Sequence, residues 1–300
     1  MDLNSANLTA IFTGYKTHFQ QGLDSLGDSA AYYTQFCTVV PSTNASEVYP
    51  FLGGLPNMRP WVGDRVIHSL EAGDFTIKNR KFELTHGISR DSIDDDTFGL
   101  YGPIFKEQGR STSAHPNQLA VEVLEKNPDC YDGQPLFDAD HKVLDADGNE
   151  VSVSNDMGGA GDAWYVMDLS RAIHPLIFQK RRDYAFRALD DLNSDRVFMK
   201  DEFLFGVDGR LNVGPGLWQL IVRSKQPFNA ANYEAARKQL QTLKGDYARP
   251  LGLMHTHTMV PSSMEGEALV ILNNENDAAG ATNQWKGTSQ LIVNPWLASA

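Results

Sequence analysis

Cysteine is nearly missing from this chain of 300 residues: Cys37 and Cys130 are the only two, with no Cys-x-x-Cys pair and no histidine at zinc-finger spacing. That excludes a disulfide framework and an ordinary structural zinc site, and both residues are expected as reduced thiols. Long apolar runs are lacking too. No stretch approaches the roughly 18 consecutive apolar residues of a membrane span, and Met1 to Ala10 shows no basic segment followed by an apolar one. The chain therefore reads as one made and kept in the cytosol, without a membrane partner. No Gly-x-Ser-x-Gly elbow, P-loop or Gly-x-Gly-x-x-Gly after a strand occurs, and Gly158-Gly159-Ala160-Gly161 is only loosely like a phosphate loop. Positive charge is scarce. Twenty-six Lys and Arg face 38 Asp and Glu, giving a net charge of -12 and a pI near 5.0, with the acids spread along the chain. That balance speaks against tight nucleic-acid binding, and the single basic run Lys180-Arg181-Arg182 is too short for a groove.

What is present is enough apolar material, 41% hydrophobic and 10% aromatic, for a sizeable core. No linker rich in glycine, serine or proline divides the chain, and no repeat appears at solenoid or propeller periods, so one subunit with subdomains is expected. Ser5 is placed to cap a helix in which Leu8, Ile11, Phe12, Tyr15, Phe19, Leu23 and Leu26 recur at helical steps. Its apolar face needs cover from its own core or from a neighbouring chain. Val39 to Pro60 reads as an extended arm with turns. Trp61 to Ile88 reads as a long, partly exposed hairpin, with Phe75 and Ile77 on one run and Phe82, Leu84 and Ile88 on the next. A helix then follows the acids Asp91 to Asp96. It is expected to be kinked or broken at Pro116 and to stop at Asn127-Pro128. Cys130 to Ala163 is mostly loop in this reading, and strands are expected at 164–167, 176–178, 197–199, 203–205 and 217–222. Asn229 caps a helix ended by Gly245, Thr256 to Val260 is a strand, Ser262 and Glu265 form a capping box for a helix to about Asn273, and 291–293 is a last strand.

Three clusters could carry chemistry. Asp138, Asp140, His141, Asp145, Asp147 and Glu150 hint at a cation site but supply only a fragment of an EF-hand pattern; Asp-Gly and Asn also form turns. His255 and His257 fall on one side of a strand, a geometry metals use, yet no third ligand has a definite spacing. Asp94-Asp95-Asp96 could pair carboxylates, or could complement the dipole of the helix behind it. A metal-assisted hydrolase built from His255, His257 and the acids near Asp140 is therefore one alternative reading.

The landmarks Trp61-Val-Gly-Asp-Arg65, Gly87-Ile-Ser-Arg-Asp91, Gly99-Leu-Tyr-Gly-Pro-Ile-Phe105, Cys130-Tyr-Asp-Gly-Gln134, Asp168-Leu-Ser-Arg171, Pro175-Leu-Ile-Phe-Gln179, Glu202-Phe-Leu-Phe-Gly206, Trp218-Gln219 and Trp285-Lys-Gly287 occur in order along nearly the whole chain. In them the sequence resembles the major head subunits of phage Mu and its prophage relatives. The Gly214-Pro-Gly-Leu217-Trp218 turn departs from the family habit of an aromatic before the tryptophan. The resemblance implies an α+β chain with the HK-97 type capsid fold. Its parts would be an N-terminal arm (1–58), an extended E-loop hairpin (59–90), a peripheral domain with a spine helix (91–228), an axial domain (229–280) and a C-terminal strand segment (281–300). It implies a shell protein of the virion, assembled in the bacterial cytoplasm as hexamers and pentamers around DNA, with no active site, cofactor or metal. Implied partners are a scaffold, a maturation protease, a portal and a decoration protein; a tail or other virion structural protein is a further reading that shares the self-association. Arg59, Trp61, Arg65, Arg80 and Lys81 on the hairpin are the candidates for contacts between subunits.

Overall fold

The computed structural model describes residues 5–25, 27, 32–49, 75–96, 99–189, 191, 194–276 and 280–297. The chain opens with helix α1 (Ser5–Asp24), of which Ser5 is the first residue, then a short α2 (Tyr32–Phe36) and strands β1 (Cys37–Pro41), β2 (Ser46–Val48), β3 (Thr76–Lys78) and β4 (Arg80–Ser89). Next come α3 (Arg90–Asp94) and the long α4 (Tyr101–Lys126), followed by β5 (His141–Leu144), β6 (Glu150–Val153), β7 (Asp156–Gly159), β8 (Trp164–Met167) and β9 (Leu176–Leu189). The second half holds α5 (Asp195–Lys200), β10 (Glu202–Pro215), β11 (Ile221–Lys225) and α6 (Ala230–Thr242). It closes with β12 (Lys244–Gly245), β13 (Arg249–Pro250), β14 (His257–Pro261), α7 (Glu265–Leu272) and β15 (Gln290–Asn294).

Two sheets organise these elements. One runs β1-β9-β10-β4, with β1 parallel to β9 and the remaining pairs antiparallel. The other runs β15-β14-β8-β11-β7, parallel at its two ends and antiparallel through the middle. Two apolar cores result. The smaller joins α1 to the first half of α4 and to Phe203, Phe205 and Val207 of β10; the larger surrounds the second sheet, α6, α7 and the second half of α4. Strand β10 alternates buried and half-buried residues over nearly its whole length, as period two requires, and Leu211 and Val213 of the same strand reach the larger core.

Helix α1 buries Leu8, Phe12, Tyr15 and Phe19 inside its own chain. Phe12 meets Phe203 and Phe205 at ring separations of 5.3 and 5.1 Å, and Tyr15 meets Phe105 at 4.6 Å. The helices approach closely because two glycines face each other's backbone: a Cβ at Gly109 would lie 2.1 Å from the Phe19 carbonyl oxygen, and one at Gly22 only 1.8 Å from that of Lys106. Helix α1 thus finds its cover within its own chain.

Several expectations change. Pro116 does not break α4, which runs unbroken to Lys126 and ends where Asn127 turns left-handed at φ 50°. A mid-helix proline costs about 3 kcal/mol, but burial of Phe105, Leu119, Val121 and Leu124 on either side of it outweighs that cost. Val197 to Met199 is helix, not strand, because Ser194 accepts a bond from the Val197 amide and caps α5. The region 130–163 contains the β5–β6 hairpin and β7 in addition to loops. Trp218–Leu220 is a short 3-10 turn ahead of β11. Ser262–Met264 likewise forms a 3-10 turn, so no side chain caps α7. Strand β3 pairs with β2, while β4 pairs with β10 over ten residues. The runs expected as the two legs of one hairpin, 75–77 and 82–88, therefore do not pair with each other; the rest of that stretch, 61–74, and the arm beyond Tyr49 lie outside the described residues.

Replacing Gly109 with alanine should force α1 off α4. The expected result is a loss of ~1–3 kcal/mol of stability, with new protease cleavage around residues 8–24. Unchanged melting and cleavage would mean that the glycine contact does not hold the helix.

Candidate subunit-contact surfaces

Of the five hairpin residues expected to meet another subunit, Arg59, Trp61 and Arg65 lie outside the described residues. Arg80 and Lys81 sit at the start of β4, paired with Leu211 and Arg210 of β10. The Arg80 guanidinium lies 3.9 Å from the Glu122 carboxylate on α4 and 5.1 Å above the Phe82 ring. Both side chains of that pair are accessible, so it is a weak surface contact of ~0–1 kcal/mol at most. Lys81 belongs to a group around Asp208. The Arg187 guanidinium, 2.7 Å away, holds the Asp208 carboxyl below the usual carboxylate range; burial opposes the effect, and Arg182 and Lys81 add to it. In the basic run, Lys180 meets Asp183 at 2.8 Å and Arg182 meets Asp208. Opposite charges along the β9–β10 ladder thus close much of that surface locally.

The candidate metal residues are dispersed. His141 is fully buried, its ring stacked 3.9 Å from that of Trp218, and its Nδ1 lies 2.7 Å from an Asp132 oxygen. Asp140 turns outward to Lys142 and Ser152, while Asp145 accepts the backbone amides of Asp147 and Asn149 at 2.9 Å each and so builds the β5–β6 turn. Asp138 likewise accepts the Asp140 amide at 2.7 Å. Asp147 and Glu150 are exposed in the same hairpin. Of the acids at 94–96, Asp94 ends α3, Asp95 is its C-terminal cap, and Asp96 accepts the Leu100 amide at 2.9 Å ahead of α4. Only Asp96 has the helix-start role expected for the trio. Among the described residues no three His, Cys, Asp or Glu side chains come together as a metal site.

His255 and His257 do not act as a pair. His255 precedes β14 and is buried, with Arg237 Nη1 3.2 Å from its Nδ1 and Thr258 Oγ1 3.0 Å from its Nε2; His257 contacts Thr256 Oγ1 at 2.9 Å. Burial first, and then the Arg237 charge, push the His255 pKa down to about 3. Cys37 and Cys130 are buried free thiols whose pKa values burial raises.

Sequence reasoning missed one apolar surface. Phe198 and Met199 on α5 are 84% and 75% exposed, at the end of the β9–β10 ladder. The signal was Ser194 placed three residues before Val197, a helix-cap spacing that turns these two side chains outward instead of alternating them in a strand.

Residues 8–297 match the family described as the Mu-like prophage major head subunit gpT. The chain is 38% identical to the major capsid protein of Escherichia phage Mu, over 99% of this chain and all of that one. Among solved structures it is similar to a chain of the procapsid of bacteriophage JBD30, with a TM-score of 0.82, 37% identity and coverage of 98% of this chain and 100% of that one. It is also similar to a chain of the JBD30 capsid decorated with minor capsid protein trimers, at a TM-score of 0.76, 28% identity and coverage of 89% and 91%.

The neutral, buried His255 makes stability depend on pH. In the unfolded chain a histidine titrates near ~6.5, well above its value in the fold. Below that pH the unfolded state takes up a proton that the folded state does not, so the stabilisation is complete above it and is lost as pH falls towards 3. His115, His174 and His257 are shifted down by burial and act in the same sense. The melting temperature should therefore drop between pH 7.5 and 5, and His255→Gln should drop less; parallel curves for the two proteins would remove His255 as a cause. Adding a chelator at pH 7.5 should leave both curves where they are.

Proposed function

The chain belongs to the family of Mu-like prophage major head subunits, and we propose that it works by self-association, as hexamers and pentamers that tile an icosahedral shell around phage DNA. The observation that carries this reading is the likeness over essentially the full chain, without an added domain among the described residues, to chains that build phage heads. The physical features agree with it. A net charge of -12 is compatible with a shell that encloses DNA without gripping phosphate. Exposed Phe198 and Met199 leave apolar area for a neighbour to cover.

In this reading residues 1–58 form the arm, 59–90 the E-loop hairpin, 91–228 the peripheral domain around α4, 229–280 the axial domain and 281–300 the closing strand segment. The α1 part of the arm is covered within its own chain, so the arm beyond it and the hairpin carry the reach to adjacent subunits. Arg59, Trp61, Arg65, Arg80 and Lys81 are the hairpin residues proposed to meet them, through carboxylates and apolar surface. The weak Arg80–Glu122 contact would yield readily to a better-placed carboxylate. Heterologous contacts that close into rings suit such a subunit. Assembly in the host cytoplasm, with a scaffold, a maturation protease, a portal and a decoration protein as partners, completes the proposal. No catalytic step is assigned to the chain. The hydrolase alternative has no support from the placement of His255, His257 and the acids near Asp140.

Sedimentation of the purified subunit across a concentration series, with negative-stain electron microscopy of the heavy fractions, tests the reading. Rings, sheets or closed shells are expected. Tubes alone would point to a tail protein, and a monomer at every concentration, even with the neighbouring morphogenesis proteins co-expressed, would refute self-assembly.

A further inference from the structure

Two features without a role in the isolated subunit lie at opposite ends of α6. Past its C-terminal end, β12 and β13 pair across a tight turn in which Tyr247 and Ala248 have φ of 61° and 53°. Two consecutive residues with side chains in the left-handed region are disfavoured, and such a pair persists only where its surroundings hold it. Here the β12–β13 pairing fixes the turn from inside, and the Leu144 amide donates to Asp246 Oδ1 at 3.0 Å from outside. What this strained, braced turn displays is Tyr247, a residue 66% exposed. At the other end of α6, beside Asn229 and Ala230, a cleft of about 980 Å³ opens between Phe228, Val270, Ile271 and Trp285, with Gln284 and Glu267 adding polar groups. On its α7 wall Val270 leaves apolar surface open to solvent at 39% exposure, beside the exposed Glu267. An apolar cleft with a few polar groups suits an aromatic body with a polar tip.

Charge and geometry identify the occupant. Lys244 stands exposed at the base of the tyrosine turn, and Glu265 and Glu267 stand exposed in the first turn of α7 beside the cleft; among the described residues none of the three has an ion-pair partner. Both halves of the match are on every copy of the chain. They are separated by the 13 residues of α6, about 20 Å at 1.5 Å per residue, so one copy's knob cannot fill its own cleft by a local adjustment. We propose that Tyr247 of one copy enters the Phe228–Trp285 cleft of the next, with Lys244 meeting Glu267 at the lip, and that this head-to-tail contact is a ring-closing interface of the assembly. The contact is heterologous, the kind that generates rings rather than isolated dimers. It rests on the self-association proposed above.

The test pairs a cross-link with a strain-relieving substitution, both in the full chain. Lys244→Cys with Glu267→Cys, oxidised after assembly, should give a ladder of covalent multimers beyond the dimer, against a quiet background because Cys37 and Cys130 are buried. Either substitution alone should give no ladder. Tyr247→Gly should melt no lower than the wild type, since glycine accepts φ 61° without strain. It should nevertheless need at least ~tenfold more subunit to assemble, as loss of a buried aromatic anchor implies. An assembling wild type with no ladder, a ladder that stops at the dimer, cross-links only to another virion protein, or a Tyr247→Gly chain that assembles like the wild type would each overturn this contact alone. A wild type that never assembles would overturn both it and the function proposed above.

Discussion

Everything in this subunit depends on α4 remaining one helix. At 26 residues it is about 39 Å long, and it is the element whose two halves belong to different cores: Phe105 to the one shared with α1, and Leu119 to Leu124 to the one built on the second sheet. The long strands β4, β9 and β10 of the first sheet reach both cores as well, and α4 packs across them. A helix interrupted at Pro116 would leave two small units, each short of the buried area that a stable domain needs. Instead the proline is absorbed, and side-chain bonds tie the helix to the sheet, with Gln108 donating to the Leu84 carbonyl and His115 bonded to the Tyr184 hydroxyl.

With that axis fixed, the surface divides into regions whose needs are met and regions whose needs are not. The β9–β10 ladder carries many charges, but Asp183 and Asp208 answer most of its basic groups locally. The β5–β6 turn uses its acids to hold backbone amides, so the concentration of aspartates there is a folding device. The unmet regions are apolar or strained: α5 with Phe198 and Met199, the Tyr247 turn, and the solvent side of α7. Those are the places where a second chain gains most by arriving, since apolar area and aromatic anchors contribute more to association than rim charges do.

Periodic elements were legible in the sequence. The α1 face, the Asn229 cap of α6, the limits of β8 and the strand at 291–293 all follow from local spacing and appear as expected. Local spacing failed where burial at a distance overrode it. Pro116 reads as a break because its cost is local, whereas the packing that offsets it comes from α1, β9 and β10, which lie far away in the chain. His255 and His257 look paired because period two places them together, but β14 starts only at His257 and leaves His255 to α6. Of the contact candidates, Arg80 and Lys81 fall in the turn-prone Lys78-Asn-Arg-Lys81 run yet open strand β4, because they pair with β10, a partner that could not be read from a sequence separation of more than a hundred residues. The cleft beside α7 had no sequence signature at all, since it is assembled from three separate segments.

The seam between α1 and α4 has a consequence for synthesis. Phe12 packs against Phe203 and Phe205, so α1 cannot complete its cover until roughly 190 further residues have been made. At ~5–20 residues per second that wait is on the order of 10–40 s. During that interval part of the aromatic face of α1 stays uncovered on the nascent chain. The glycines at 22 and 109 shorten the exposure in one respect: they let α4 seat against α1 as soon as it emerges, well before β10 exists, and shield the helix from other unfinished chains.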